Sequence, residues 1–454
     1  MSGKIYREIT PEIEDFAAQA IEADHIDSEL YTKYNVKRGL RDLEGHGVLA
    51  GLTHVSDVQG SKVVDGKSVP DYGHLYYRGY EVNDLIDGFV KEDRLGYEET
   101  AYLLLFGRLP ERHELEEFSS LLAECRTLPT GFVRDVIMKA PSRDMMNTLS
   151  RSVLTLYSYD DLANDVSVPN VIRQCMLLIS RFPLLAVYGY FAKEHYYENE
   201  SLFIIPPLSD GSFAENLMHI LRPDGKFTRT ESQVLDACLI LHMDHGGGNN
   251  STFTTHVVSS SMTDTYSVMA AALGSLKGPR HGGANIKVAE MFDEMKKEVR
   301  DWEDRDEIEN YLQKLLDKEA FDRSGLIYGV GHAVYSKSDP RAVILKDFVK
   351  KLAEEKGYTE EFELYSAVES LAPEVIAKQR KMYKGASVNV DFYSGFAYSM
   401  LGLPEDIYTP LFAMARIVGW SAHRIEEISN NSKIIRPAYM SIEELKKYSP
   451  LSER

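Results

Sequence analysis

Several features that mark common function classes are missing from this chain. Its 454 residues include three cysteines, Cys125, Cys175 and Cys238. They are odd in number, far apart and without CxxC spacing, which argues against a disulfide framework or a zinc knuckle and fits a reduced, cytoplasmic setting. Gly45-His46-Gly47 and Gly329-Val330-Gly331 begin like a dinucleotide loop, but neither continues to GxGxxG or follows a convincing strand. No GxxxxGK[ST] phosphate loop and no GxSxG nucleophile elbow occurs. NAD-linked and NTP-driven chemistry are poor fits. Basic residues are in deficit, 51 Lys and Arg against 70 Asp and Glu, giving a net charge of −19. Nonspecific binding to nucleic acid or an anionic membrane is therefore not expected, and an anionic substrate needs a local cluster of positive charge. The acidic N-terminus lacks the apolar core of a signal peptide. The longest apolar run, 182–192, is about half what a bilayer requires. The expectation is a soluble protein with no membrane partner.

Helix signals dominate what is present. Thr10 and Pro11 form an N-cap and first-turn pair before an apolar-periodic stretch ending near Ala23. Thr230 with Gln233 suggests a capping box, and Ser441 with Glu444 another. Asp264 opens a helix, and Asp339 with Pro340 opens one running to about Glu355. Further helical segments are expected at roughly 97–106, 111–124, 143–157, 169–193, 283–299, 305–318 and 405–427. Strand-like alternation is confined to residues 45–80, enough for a small sheet or hairpin. The fold class is mainly α, with a small N-terminal β element. No repeat of 20–50 residues and no low-complexity tract stands out.

Five segments of the C-terminal half concentrate reactive side chains among glycines. They are HMDHGGGNN (242–250), GPRHGGAN (278–285), GVGHAVYSKSDPR (329–341), NVDFYSG (389–395) and ARIVGW (415–420). Histidine, carboxylate and guanidinium together suit a site that grips a small carboxylated substrate and moves its protons. His242-Met243-Asp244-His245 has the three-residue histidine spacing of a metal pair, but no third ligand sits at a recognisable interval. A helix C-terminus, with His245 in its last turn closed by Gly246–Gly248, accounts for it better. His281 has an ordinary reading as a satisfied loop histidine, and Arg341 as a first-turn surface residue. Arg416 is harder to explain structurally, because a guanidinium among Leu411, Phe412, Met414, Ile417 and Val418 must meet a carboxylate or an oxygen cluster. Asp391 has apolar neighbours too, a setting that raises a carboxyl pKa towards that of a useful base.

In order and spacing, these segments resemble citrate synthase. The likeness is strongest over 235–437 and extends more weakly through YYRGYEVNDL and EETAYLLLFGRLP. It implies a two-domain, mostly helical homodimer, with a large domain formed by 1–282 and 396–454 and a small domain by 283–395. It further implies that acetyl-CoA condenses with oxaloacetate and that citryl-CoA is hydrolysed to citrate and CoA, with no metal and no cofactor. By resemblance, Asp391 takes a proton from the acetyl methyl group, His281 donates to the thioester oxygen, and His332 polarises and protonates the ketone of oxaloacetate. His245, Arg341 and Arg416 hold carboxylates, and Arg436 enters from the partner subunit. Val330 and Gly331 form a shelf for the adenine of CoA, while Lys337, Lys381 and Lys384 lie near its phosphates. Ser336 stands where the family often has a basic residue. Three other readings remain open at this stage: 2-methylcitrate synthesis from propionyl-CoA, a metal-dependent hydrolase built on HMDH, and a noncatalytic ligand-sensing relative.

Overall fold

The structure, a computed structural model, describes residues 9–42, 47–65, 67–380, 385–431 and 433–453. Seventeen α-helices and one three-stranded antiparallel sheet occur among them, a mainly α fold as expected. Contacts divide the chain into two units, Met1–Leu52 and Thr53–Arg454. The first carries helices Pro11–Ala23 and Ser28–Lys33, neither of which buries a residue. Everything that follows concerns the second.

Its sheet is a hairpin of β1 (Ser56–Val64) and β2 (Lys67–Tyr77), paired from Ser56↔Tyr77 to Val64↔Lys67 with a register shift between Gln59 and Ser61, and the two-residue strand β3 (Tyr80–Glu81) lies against the end of β2. β2 supports the loop that carries His332. Gly73 N donates to Ser338 Oγ at 3.2 Å, and Tyr335 Oη donates to the His74 carbonyl at 3.3 Å.

Eight helices matter for the site. They are α1 (Tyr97–Phe106), α2 (Val168–Lys193), α3 (Arg229–His242), α4 (Asn250–Ser259), α5 (Thr265–Lys277), α6 (Pro340–Lys356), α7 (Val390–Met400) and α8 (Tyr408–Ser429). α8 is the core: all its residues from Tyr408 to Arg424 are buried, and α1, α2, α3, α4 and α5 pack around it. α6 packs on both α3 and α7 and so joins the two halves of the site. α1 is capped at a distance by Asp236 of α3, whose carboxylate accepts from Gly96 N at 2.7 Å and Tyr97 N at 3.2 Å. Its oxygens meet two of the N–H groups left open at the start of the helix.

Four sequence expectations need correction. The apolar run at 182–192 belongs to α2, which by length and composition is sufficient to cross a membrane. That helix is instead 83% buried over its most apolar window, and its arginines, Arg173 and Arg181, confine the uncharged run to its second half. The capping box of α3 is Thr228 with Glu231, not Thr230 with Gln233: Glu231 N donates to Thr228 Oγ1 at 3.2 Å and Thr228 N to Glu231 Oε2 at 2.7 Å. The Ser441–Glu444 pattern starts no helix, because that segment is exposed throughout and buries no apolar face to stabilise one. α3 stops at His242 with Met243 as its cap, so His245 lies in the turn beyond the helix.

Candidate active site

The turn after α3 sends its side chains in three directions. His242 Nδ1 lies 2.8 Å from the Cys238 carbonyl, as expected of a donor one helical turn on, and its ring meets Phe412 edge-on at 4.8 Å. Asp244 turns towards Ser56 of β1 and His423 of α8, and its Oδ2 accepts from Gly246 N at 3.0 Å. His245 turns towards the loop 332–335, edge-on to His332 at 5.1 Å and to Tyr335 at 5.5 Å. Such divergence leaves HMDH without the convergent geometry that a metal requires.

The loop 329–331 pairs with 387–389 through the bridge Val330↔Val388, with Gly331 N donating to the Ser387 carbonyl at 2.8 Å and Asn389 N to the Gly329 carbonyl at 2.9 Å. Asn389 then caps α7: its Oδ1 accepts from Asp391 N at 3.0 Å while its Nδ2 donates to the Gly331 carbonyl at 3.0 Å. This junction ties the loop of His332 to the start of α7, which carries Asp391. At His332, Nδ1 accepts from both Val334 N, at 3.0 Å, and Tyr335 N, at 3.1 Å. An acceptor at Nδ1 carries no proton, so neutral His332 holds its proton on Nε2. Tyr335 stacks on the ring at 4.6 Å and fixes its plane.

Arg341 is 4% exposed and Arg416 is fully buried. Asp339, the N-cap of α6, pairs with Arg341 through both carboxylate oxygens. Burial pulls the Arg341 pKa down, but Asp339 outweighs it and raises the value. Arg416 donates from Nε to the His242 carbonyl at 2.7 Å and lies over the Phe412 ring at 4.7 Å. Its Nη1 and Nη2 are buried and have no hydrogen-bond partner among the described residues, and the same holds for His245 Nε2. Burial lowers the Arg416 pKa to about 10, which leaves it charged at neutral pH. Two guanidinium donors left unsatisfied in a core are costly unless an anion meets them.

His281 lies 3.0 Å by Nε2 from Ser251 Oγ, which also contacts Asn249 Oδ1 and Trp420 Nε1. Burial, then the field of Arg416, lowers its pKa to about 4, so at pH 7 it is a neutral hydrogen-bond donor. Burial raises Asp391 to about 6, against the pull of Arg341 and Arg416. Burial, with Arg341, His332 and Arg416, holds His245 well below the ordinary histidine range. A carboxylate poised near neutrality, neutral imidazoles and two buried guanidiniums suit proton abstraction beside a carbonyl in a substrate bearing carboxylates.

The chain has relatives of known identity. The family described as citrate synthase, C-terminal domain, matches residues 43–438. The chain belongs to the citrate synthase family. It is 33% identical to a citrate synthase of Synechocystis over 90% of this chain and 92% of that one. It is 32% identical to a 2-methylcitrate synthase of Shewanella oneidensis over 80% of this chain and 87% of that one. The citrate synthase of Thermoplasma acidophilum, solved as a ternary complex with carboxymethyl-CoA and oxaloacetate, superposes with a TM-score of 0.74 at 27% identity, covering 92% of this chain and 99% of that one.

Of the residues singled out from sequence, His245, His281, His332, Arg341, Asp391 and Arg416 share one cluster of ring contacts and overlapping fields. Val330 and Gly331 lie beside it in the bridged loop. Lys337 is exposed, with Nζ 5.5 Å from the centre of the Tyr72 ring. Arg436 is exposed on the segment after α8 and outside the cluster. Lys381 and Lys384 fall outside the described residues. Sequence reasoning missed Asp339 as the partner of Arg341, although an aspartate two residues before an arginine at a helix start offers both a cap and a counter-charge. It also missed Phe412, which lies against His242, His281 and Arg416.

Proposed function

We propose that this enzyme condenses acetyl-CoA with oxaloacetate and hydrolyses the resulting citryl-CoA to citrate and CoA, without metal or cofactor. The observation that carries the reading is the pair of buried guanidiniums, Arg341 and Arg416, beside Asp391, whose carboxyl is raised to about 6. Asp391 takes a proton from the methyl carbon of the thioester while His281 donates a hydrogen bond to the thioester oxygen. A preorganised donor is needed there because a thioester α-hydrogen is only weakly acidic. The enol carbon then bonds to the ketone carbon of oxaloacetate, and the ketone oxygen takes the Nε2 proton of His332. Arg341, Arg416 and His245 hold the carboxylates through planar, charge-assisted contacts. Water finally cleaves the thioester of citryl-CoA. Val330, Gly331, Lys337, Lys381 and Lys384 serve CoA in this reading.

The same proposal makes the protein a homodimer with two domains, 283–395 being the smaller, that close over oxaloacetate and exclude water before the enol forms. Arg436, exposed on the C-terminal segment, would complete the site of the other subunit. Mixing an Arg436→Ala protein with an Arg416→Ala protein should restore part of the activity as subunits exchange.

The deciding experiment is thiol release from acetyl-CoA and propionyl-CoA, each with and without oxaloacetate. Release that depends on oxaloacetate and favours acetyl-CoA supports the proposal. Higher kcat/KM with propionyl-CoA would make it a 2-methylcitrate synthase, the name borne by some relatives of similar identity. One methylene is worth only about 1–3 kcal/mol in an apolar pocket, so the acyl preference must be measured. Release that ignores oxaloacetate would refute both.

A further inference from the structure

Behind the site lies a row of ionisable groups that the proposed chemistry does not use. Glu427 Oε2 is 2.9 Å from His256 Nδ1, His256 Nε2 is 3.2 Å from His423 Nδ1, and His423 Nε2 is 3.3 Å from the Asp244 carboxylate. His423 and Asp244 are wholly buried, while His256 and Glu427 are nearly so. Three elements supply the row: α4 gives His256, α8 gives His423 and Glu427, and the turn after α3 gives Asp244. On α8 the spacing 412, 416, 419, 423, 427 places Phe412, Arg416, Gly419, His423 and Glu427 along one face. Other charges around the row are Glu426, with Oε2 4.0 Å from His423 Nδ1 and Oε1 accepting from His54 N, and Arg78, whose field reaches Glu426 and Asp244. Arg416 acts on Asp244 from the substrate side.

The hydrogen bonds fix a proton count. Each outer contact needs an N–H on its imidazole, because an ionised carboxylate only accepts. The inner contact needs one N–H between its two nitrogens. Three protons on four nitrogens amount to one positive charge shared by two rings. When that charge sits on His423, it faces Asp244 directly. Asp244 in turn fastens the turn that presents His245, through Gly246 N, and lies against the helix face that bears Arg416.

We propose that Glu427, His256, His423 and Asp244 form a positioning relay for oxaloacetate, one shared proton holding Asp244 neutralised so that the charge of Arg416 is left for the substrate. This rests on the reading that the site binds oxaloacetate. When the shared proton leaves, Asp244 draws more of the Arg416 field and the keto acid is held less tightly. Burial, then the charge of His423, lowers the His256 pKa against the pull of Glu427. The shared proton therefore leaves through His256 towards the acid end of the histidine range, and the KM for oxaloacetate rises with pH there, while kcat, set by Asp391 and His281, follows its own profile.

The test is the pH dependence of KM and kcat for oxaloacetate, between about pH 5 and 8 where imidazole changes charge, in the wild type, His256→Gln and Glu427→Gln. Loss of one charge-assisted hydrogen bond should raise KM about tenfold in His256→Gln, with kcat within about twofold, and should remove the rise with pH. Glu427→Gln removes an anion that favours the imidazolium, so the rise should move to lower pH. Profiles of both variants that superimpose on the wild type would overturn the proposal. Should either variant fail to fold, the nitrogen NMR spectrum of histidine-labelled wild type decides: a shared-proton pair supports it, and two permanently neutral rings refute it. Wild type that shows no oxaloacetate-dependent turnover would instead refute the functional reading, a separate outcome of the same assay.

Discussion

Asp339 and Arg341 form a buried two-pronged ion pair, with Nε 3.0 Å from Oδ1, Nη2 2.7 Å from Oδ2, and side-chain exposures of 0% and 5%. Asp339 Oδ1 also accepts from Arg341 N as the cap of α6. One carboxylate thus starts the helix, neutralises the guanidinium and sets its plane. The pair faces the Tyr335 ring, the same ring that stacks on His332.

Removing half of such a pair strands a charge in the core. Asp339→Ala should lower unfolding free energy by roughly 3–5 kcal/mol, the usual cost of an orphaned buried charge. Asp339→Asn keeps the cap acceptor and should lose noticeably less. Urea denaturation of the two variants measures this. An alanine variant as stable as the wild type would show that Arg341 needs no counter-charge.

Asp391 carries a testable pH dependence of both activity and stability. With the carboxyl raised to about 6, the ionised base is lost as pH falls through that value, so kcat should decline on the acid side with a midpoint near it. Asp391→Asn should abolish turnover and leave oxaloacetate binding nearly intact by calorimetry. The sign for stability runs the other way. A carboxyl whose folded pKa exceeds its unfolded value stabilises the fold at low pH, and that contribution is lost as pH rises through about 6. At pH 7.5 the asparagine variant should therefore melt at a higher temperature than the wild type. A lower melting temperature would show that the carboxylate is not held at a cost.

Gly419 is where the His245 turn meets α8. A Cβ built there would stand 2.3 Å from the Met243 carbonyl oxygen and 2.5 Å from Asp244 Oδ1. The nearer atom is backbone, so Gly419→Ala must push the helix and the turn apart. A stability loss of about 1–3 kcal/mol is expected for such overpacking. Oxaloacetate binding should weaken by about tenfold or more, because displacements of an ångström are felt at positioned groups. Normal affinity in this variant would show that the turn does not depend on close approach.

How much of this was legible in the sequence depended on the range of the interactions involved. Helices such as Pro11–Ala23, α1 and α6 were marked by local caps, prolines and periodicity, and fell where those signals put them. α4 and α7 were not marked, because their sequences, rich in Ser, Thr, β-branched and aromatic residues, carry little helix preference and become helical through packing against α5, α8 and α6. The reactive residues stood out by type and order, yet their partners did not. Asp244 meets His423 across 179 positions and Arg416 meets the His242 carbonyl across 174. No spacing rule reaches that far, so the counter-charges and the relay behind the site emerged only from the fold.

Asp236 offers a last test, outside the site, of how burial governs this fold. Its carboxylate caps α1 through Gly96 N and Tyr97 N, two bonds that favour ionisation. Burial outweighs them and, with Glu98 nearby, pushes the carboxyl up to about 8. Folding stability from this group is therefore fully present below the unfolded pKa near 3.8 and is lost as pH rises through about 8. Asparagine keeps an oxygen for the two N–H groups and carries no charge at any pH. Asp236→Asn should thus match the wild type at acid pH and exceed it by a few kcal/mol at pH 9, since each pKa unit is worth about 1.4 kcal/mol. Chemical denaturation at pH 5, 7 and 9 gives the comparison (approximate settings that bracket the titration). If the variant is instead less stable at pH 9, the helix cap requires a full negative charge and the dipole of α1 outweighs desolvation.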